Sequence, residues 1–187
     1  RSRRMRLASY NHRGRAGYGA VVGDAVIDLR PRFPRYHTLL DVLRAGALDE
    51  LRSAAESVRT DFPLSEVELL PPVIGPEKIL CIGVNYANRN EEYKDNTEQP
   101  KYPSLFFRTP GSLVGHGQNI VRPRESEQLD YEGEIVLIIG KECHRIAASQ
   151  AADHIAGYTL CNEGTIRDWL KHAKFNVTQG KNFDRSG

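Results

Sequence analysis

Three carboxylates in this chain have the types and spacing to share one chemical task. Glu132 and Glu134 stand at the head of the apolar run IVLII, residues 135–139, and Glu163 closes a second apolar segment, AGYTLCNE. On an extended chain, residues i and i+2 face the same side, so Glu132 and Glu134 point together, and Asp130 joins them if the strand begins early enough. Like charges held side by side against a packed sheet repel and are costly unless something offsets them. Water does so where the strand end is exposed. A hard divalent cation such as Mg²⁺ does so where carboxylates converge, and it keeps positions open for water or substrate. Glu163 repeats the setting of apolar strand, acid, glycine and helix start, so two strands could bring their acids to one ion. An acid at a helix start is also favoured by the helix dipole alone.

The elements that must position these acids can be read along the chain. MRLASY, GYGAVVG and AVIDLR predict a small β-meander over residues 5–30, with HRGRAG and GD as turns. HTLLDVLRAGALDELRSAAESVR carries leucines and a valine at helical spacing and should be split in two by Gly46. LLPPVIGPEK reads as a linker, dividing a small N-terminal domain, residues 1–72, from a larger one, 73–187. In the second part KILCIGVNY, SLFFRT, EGEIVLIIGK and AGYTLCNE predict strands, IVLII being the apolar anchor of its own, with Tyr131 turned to the opposite side from the glutamates and packed there. AASQAADHI predicts a helix with Ser149 as one candidate cap, and GTIRDWLKHAKF a helix capped by Thr165 with Asp168 three residues on. Strands dominate and alternate irregularly with helices. The class is therefore α+β on mixed sheets rather than regular βαβ winding.

Composition narrows the function classes. With 187 residues, 40% hydrophobic and 27% charged, the chain suits a globular protein. A formal net charge of +2, with no aromatic-interleaved basic stripe, argues against a nucleic-acid partner. The basic RSRRMR start is read as a frayed terminus. Cys81, Cys143 and Cys161 form no CxxC or Cys/His cluster and are expected as buried free thiols in a reducing compartment. No apolar run approaches a membrane span and no signal-peptide core is present, so a cytoplasmic location and no membrane partner are expected.

KILCIGVNYANRNEE, YPSLFFRTPGSLVG, LDYEGEIVLIIGK, AGYTLCNEGTIRDW and QGKNFDRSG occur in this order. Together they resemble the fumarylacetoacetate hydrolase family over about residues 70–187, and five ordered motifs are far more specific than one. The resemblance implies a β-roll catalytic domain preceded by a small accessory domain, and a homodimer. It implies that Glu132, Glu134 and Glu163 hold Mg²⁺ or Mn²⁺, Glu163 standing where many members have Asp. It implies that Lys181 positions substrate or stabilises negative charge, and that Arg108, Arg167 and Tyr86 line the pocket. From the residues alone, composition prefers a surface lysine at Lys181, Arg167 reads as a helix-surface ion-pair partner of Asp168 or its neighbours, and Tyr86 could equally be structural. Asp130 has no metal-ligand counterpart in the family and is read as support for the strand.

Two departures from the family pattern matter. Several hydrolytic relatives carry a His–Glu dyad that activates water; Glu92 matches the Glu, but Arg89 occupies the His position. An arginine cannot act as a general base near neutral pH. His116 in VGHGQ is another candidate base, although an ordinary loop histidine is favoured. Family members also continue past QGKNFDRSG, so the catalytic domain is expected to be C-terminally incomplete, with apolar sheet faces left open.

The function expected is a divalent-metal-dependent hydrolase of C–C bonds in small 2-oxo or β-diketo acids, as in the breakdown of aromatic compounds. The alternative, favoured by Arg89, is an isomerase or decarboxylase of hydroxymuconate-type diacids. A metal- or small-acid-binding protein without catalysis is a third reading. The three reactions can share one fold because each builds negative charge on a metal-polarised 2-oxo group.

Overall fold

The structure is a computed structural model that describes residues 5–86, 88, 91, 98, 101–172 and 176–187. The predicted meander is present as β1 (Arg6–His12), β2 (Arg15–Val22) and β3 (Ala25–Asp28). Two short strands extend it, β4 (Phe62–Pro63) and β5 (Val67–Leu69), giving a five-stranded sheet in the order β4-β3-β2-β1-β5. Both additions are too short, and one too proline-bound, to stand out as periodic patterns.

Against this sheet pack α1 (Leu39–Arg44) and α2 (Leu48–Ser57). Thr38 caps α1: its hydroxyl accepts from the Asp41 amide at 3.2 Å, and the Asp41 carboxylate accepts from the Thr38 amide at 2.9 Å. Gly46 separates the helices at φ +65°, a left-handed turn that glycine enters without a Cβ penalty. Tyr18 and Ile27 from the sheet, with Leu29 just after β3, meet Leu39, Val42 and Leu51 from the helices in one buried cluster.

After residues 70–77 the chain forms antiparallel pairs. β6 (Ile79–Gly83) pairs with β7 (Ser104–Arg108), and β9 (Gly133–Ile139) with β10 (Ile155–Asn162). The two-residue strands β8 (Leu129–Asp130) and β11 (Thr165–Ile166) also pair. A one-turn helix, α3 (Thr178–Lys181), follows. Every strand pairing among the described residues is antiparallel, and the α+β class holds. No helix among the described residues is long and apolar enough to cross a membrane.

Several local expectations need correction. AASQAADHI is a 3₁₀ helix over Ala148–His154, beginning after Ala147 rather than at Ser149. Thr165 caps nothing: it lies in β11 opposite Asp130, and among the described residues the helical turn is the 3₁₀ segment Asp168–Lys171. The apolar anchor IVLII is covered on one face and open on the other. Ile135, Leu137 and Ile139 are at least half exposed, as are Leu160 on β10 and Leu105 and Phe107 on β7. Tyr131, expected to pack, is 78% exposed. Of the thiols, Cys143 is exposed while Cys81 and Cys161 are half-buried.

Candidate metal centre

Pairing of β9 with β10 brings the acids together. The register sets Gly133 opposite Asn162, and just beyond it the Glu163 amide donates to the Glu132 carbonyl at 2.7 Å. Glu132 and Glu163 are thus cross-strand neighbours. Glu134 lies two residues along on the same side as Glu132. One carboxylate oxygen from each of Glu132, Glu134 and Glu163 lies within 4.8 Å of the others. Oxygens on opposite sides of a Mg²⁺ or Mn²⁺ ion stand about 4 Å apart, and an all-oxygen donor set suits such hard cations. The three residues therefore fit a divalent cation.

Glu132 is the most heavily bonded of the three. Its Oε2 accepts from Lys181 Nζ at 2.7 Å. Its Oε1 receives the Thr165 hydroxyl at 3.0 Å and Arg167 Nη1 at 2.9 Å. Arg167 is itself tied by Nε to Asp130 Oδ2 at 2.9 Å. It thus bridges two acids at the strand head, while the Asp168 carboxylate accepts from Ser126 Oγ at 2.6 Å. Lys181 is 5% exposed, reaches Glu163 Oε2 at 3.5 Å, and sits 5.1 Å from the centre of the Phe106 ring. It is an interior cation, and α3 aims it at the carboxylates.

Burial acts on the titratable groups around these carboxylates. Burial, then the nearby charge of Glu163, raises the Glu134 pKa above the usual carboxylate range, partly countered by a hydrogen bond from Tyr86. The Cys81 thiol is raised by burial first and then by the neighbouring Glu163 carboxylate. Cys161 is raised by burial too.

Of the expected site residues, Glu132, Glu134, Glu163, Lys181, Arg167 and Tyr86 are brought together. Arg108 differs from its expected place at a pocket edge. It is 4% exposed and donates to the Gly164 and Ser112 carbonyls and to the Ser112 and Ser186 hydroxyls. A buried guanidinium so engaged braces the loop that carries Glu163, and burial lowers its pKa. Arg89 and Glu92 lie outside the described residues. His116 is an exposed loop residue. Thr165 joins the site although its sequence context resembles a helix cap; the signal for its role is a position two residues beyond Glu163, hence the same side of an extended chain.

Comparison with known proteins matches this arrangement to one group. Residues 78–187 match the family model described as the C-terminal region of fumarylacetoacetate (FAA) hydrolase. A mitochondrial oxaloacetate tautomerase from Bos taurus is 36% identical over 177 residues, covering 90% of this chain and 55% of the relative. Oxaloacetate tautomerase YisK from Bacillus subtilis is 42% identical over 127 residues, covering 66% of this chain and 41% of the relative. The solved fumarylacetoacetate hydrolase from Exiguobacterium antarcticum superposes with a TM-score of 0.75 at 29% identity, covering 98% of this chain and 64% of that one. The chain thus spans between 41% and 64% of the length of these relatives.

Proposed function

Since the chain belongs to the fumarylacetoacetate hydrolase family, we propose that it holds a divalent cation on Glu132, Glu134 and Glu163 and interconverts the keto and enol forms of a small 2-oxo acid such as oxaloacetate. The observation that carries this reading is the convergence of three carboxylate oxygens within 4.8 Å, beside the buried Lys181. When bound, such a cation acts as a Lewis acid on the 2-oxo oxygen. Lys181 Nζ adds fixed positive charge beside the place where negative charge grows, and it needs no reorganisation because Phe106 and the acids hold it. Arg167 and Thr165 keep the Glu132 carboxylate aimed.

Tautomerisation asks less of the chain than hydrolysis does. A proton leaves the carbon beside the 2-oxo group and a proton reaches the 2-oxo oxygen. No C–C bond breaks and no water is consumed. Arg89 in the place of a dyad histidine suits that demand, because no water need be activated. Glu92 is the carboxylate proposed to take the proton from carbon. The two tautomerase relatives favour this reaction, by similarity.

C–C hydrolysis of an acylpyruvate or β-diketo acid is the second reading, favoured by the likeness to the Exiguobacterium hydrolase. A homodimer located in the cytoplasm belongs to the same proposal. Enol oxaloacetate absorbs in the ultraviolet, so its decay can be followed with Mn²⁺, with Mg²⁺ and with EDTA. Metal-dependent acceleration is expected. Cleavage of acylpyruvates with no effect on oxaloacetate would replace this reading with the hydrolytic one, and inactivity on both would leave a binding protein.

A further inference from the structure

Thr165 is fully buried, and its hydroxyl lies 3.0 Å from Glu132 Oε1 and 3.0 Å from the Glu163 carbonyl. It thus touches both a carboxylate oxygen of one candidate ligand and the backbone of another. β11 holds it there: Thr165 pairs with Asp130, and Ile166, also fully buried, pairs with Leu129. We propose that Thr165 is a positioning residue for the metal centre, its hydroxyl fixing the rotamer of Glu132 so that the carboxylate meets the cation in one orientation. This rests on the metal-binding reading above.

The hydroxyl carries one proton, so it donates to one of its two acceptors at a time. Donation to the carboxylate is the stronger bond, because the acceptor is charged. Oε1 also receives Arg167 Nη1 at 2.9 Å, and Arg167 is restrained by Asp130. Two donors thus hold Oε1. The carboxylate can then pivot little about its own axis, and both oxygens keep set directions. Arg167 is 29% exposed at its side chain and shares its guanidinium with Asp130, so it makes the looser of the two restraints. Thr165 has no route to solvent, and its other acceptor is the Glu163 carbonyl.

The test compares Mn²⁺ binding by isothermal calorimetry to the wild type, to Thr165→Val and to Thr165→Ser, with folding checked by circular dichroism in EDTA. Val keeps the shape and removes the hydroxyl; Ser keeps the hydroxyl and removes the methyl. Loss of an outer partner of a metal ligand weakens binding about 10- to 100-fold. Such a loss in Thr165→Val, with near wild-type binding in Thr165→Ser, is the expected result. Should Thr165→Val not fold, Thr165→Ala against Thr165→Ser isolates the same hydroxyl. Equal Mn²⁺ affinity with and without the hydroxyl would overturn the assignment while leaving the metal centre intact. No Mn²⁺ binding by the wild type would overturn the metal reading and this inference with it.

Discussion

Lys181 Nζ stands 2.7 Å from Glu132 Oε2, at the end of a lysine side chain that is 6% exposed. The pair joins α3 to the head of β9 across 49 residues of chain. Removing one member of a buried pair leaves the other charge uncompensated, which costs about 3–5 kcal/mol. Glu132 would retain Arg167 and Thr165, so the lower end applies. Lys181→Met should therefore lose about 3 kcal/mol in urea denaturation without metal and lose enol–keto turnover with metal. A variant of wild-type stability would show that Lys181 is not held by the acids.

Glu134 should behave in the opposite way. Its pKa is raised in the folded chain by burial first and by the charge of Glu163 second. A raised carboxylate costs stability at any pH above its folded pKa, and the cost fades as pH falls toward the unfolded value of about 4.3. In EDTA at pH 7, Glu134→Gln is therefore expected to raise Tm, since Gln can still accept from Tyr86. At pH 4 the two proteins should melt together. Addition of Mn²⁺ should reverse the order, because only the wild type gains the full ligand set. A lower Tm for the variant in EDTA would refute the burial penalty.

Much of this centre is legible in the sequence, and the rest is hidden for definite physical reasons. The period of a strand alone places Glu132 and Glu134 on one side. The approach of Glu163 needs the β9–β10 register, which no local pattern encodes. Thr165 followed by Asp168 imitates a helix cap, and pairing with Asp130 overrides that local preference. Arg108 reads as a cation at the pocket edge because arginines are seldom buried. Only the meeting of β7 with the Gly164 and Ser186 loops reveals it as a brace. The run IVLII marks an apolar anchor without showing which face is covered; the strand alternates, with Ile135 63% exposed and Val136 and Ile138 half-buried.

The N-terminal sheet offers a pH test. Hydrogen bonding to Arg32 holds the Asp61 pKa below the usual carboxylate range, and the Asp28 amide donates to Asp61 at 2.7 Å. A depressed carboxylate stabilises at pH values above its unfolded pKa of about 3.9, and that stability is lost as pH falls through the lower folded value. The pair is about one-third exposed, which limits its worth to about 1 kcal/mol. Asp61→Asn should thus be less stable than the wild type at pH 7, with the gap closing below about pH 4. A gap that persists at pH 2 would assign the loss to packing instead of charge.

Gly164 tests how tightly the Glu163 loop is seated. A Cβ there would meet the Ser186 carbonyl oxygen at 1.8 Å and Leu129 Cδ1 at 3.4 Å. The first contact is backbone, so a rotamer change cannot relieve it. The Gly164 carbonyl also accepts from Arg108 Nη1 at 3.0 Å, which resists movement of the loop the other way. Overpacking of this kind costs about 1–3 kcal/mol, and the upper end is expected where both walls are braced. The displacement should pass to Glu163, the preceding residue, and so weaken Mn²⁺ binding as well as stability. Gly164→Ala is accordingly expected to lose about 3 kcal/mol in urea and to bind Mn²⁺ more weakly than the wild type. Full Mn²⁺ affinity in a destabilised Gly164→Ala would separate the loop from the ligand it carries.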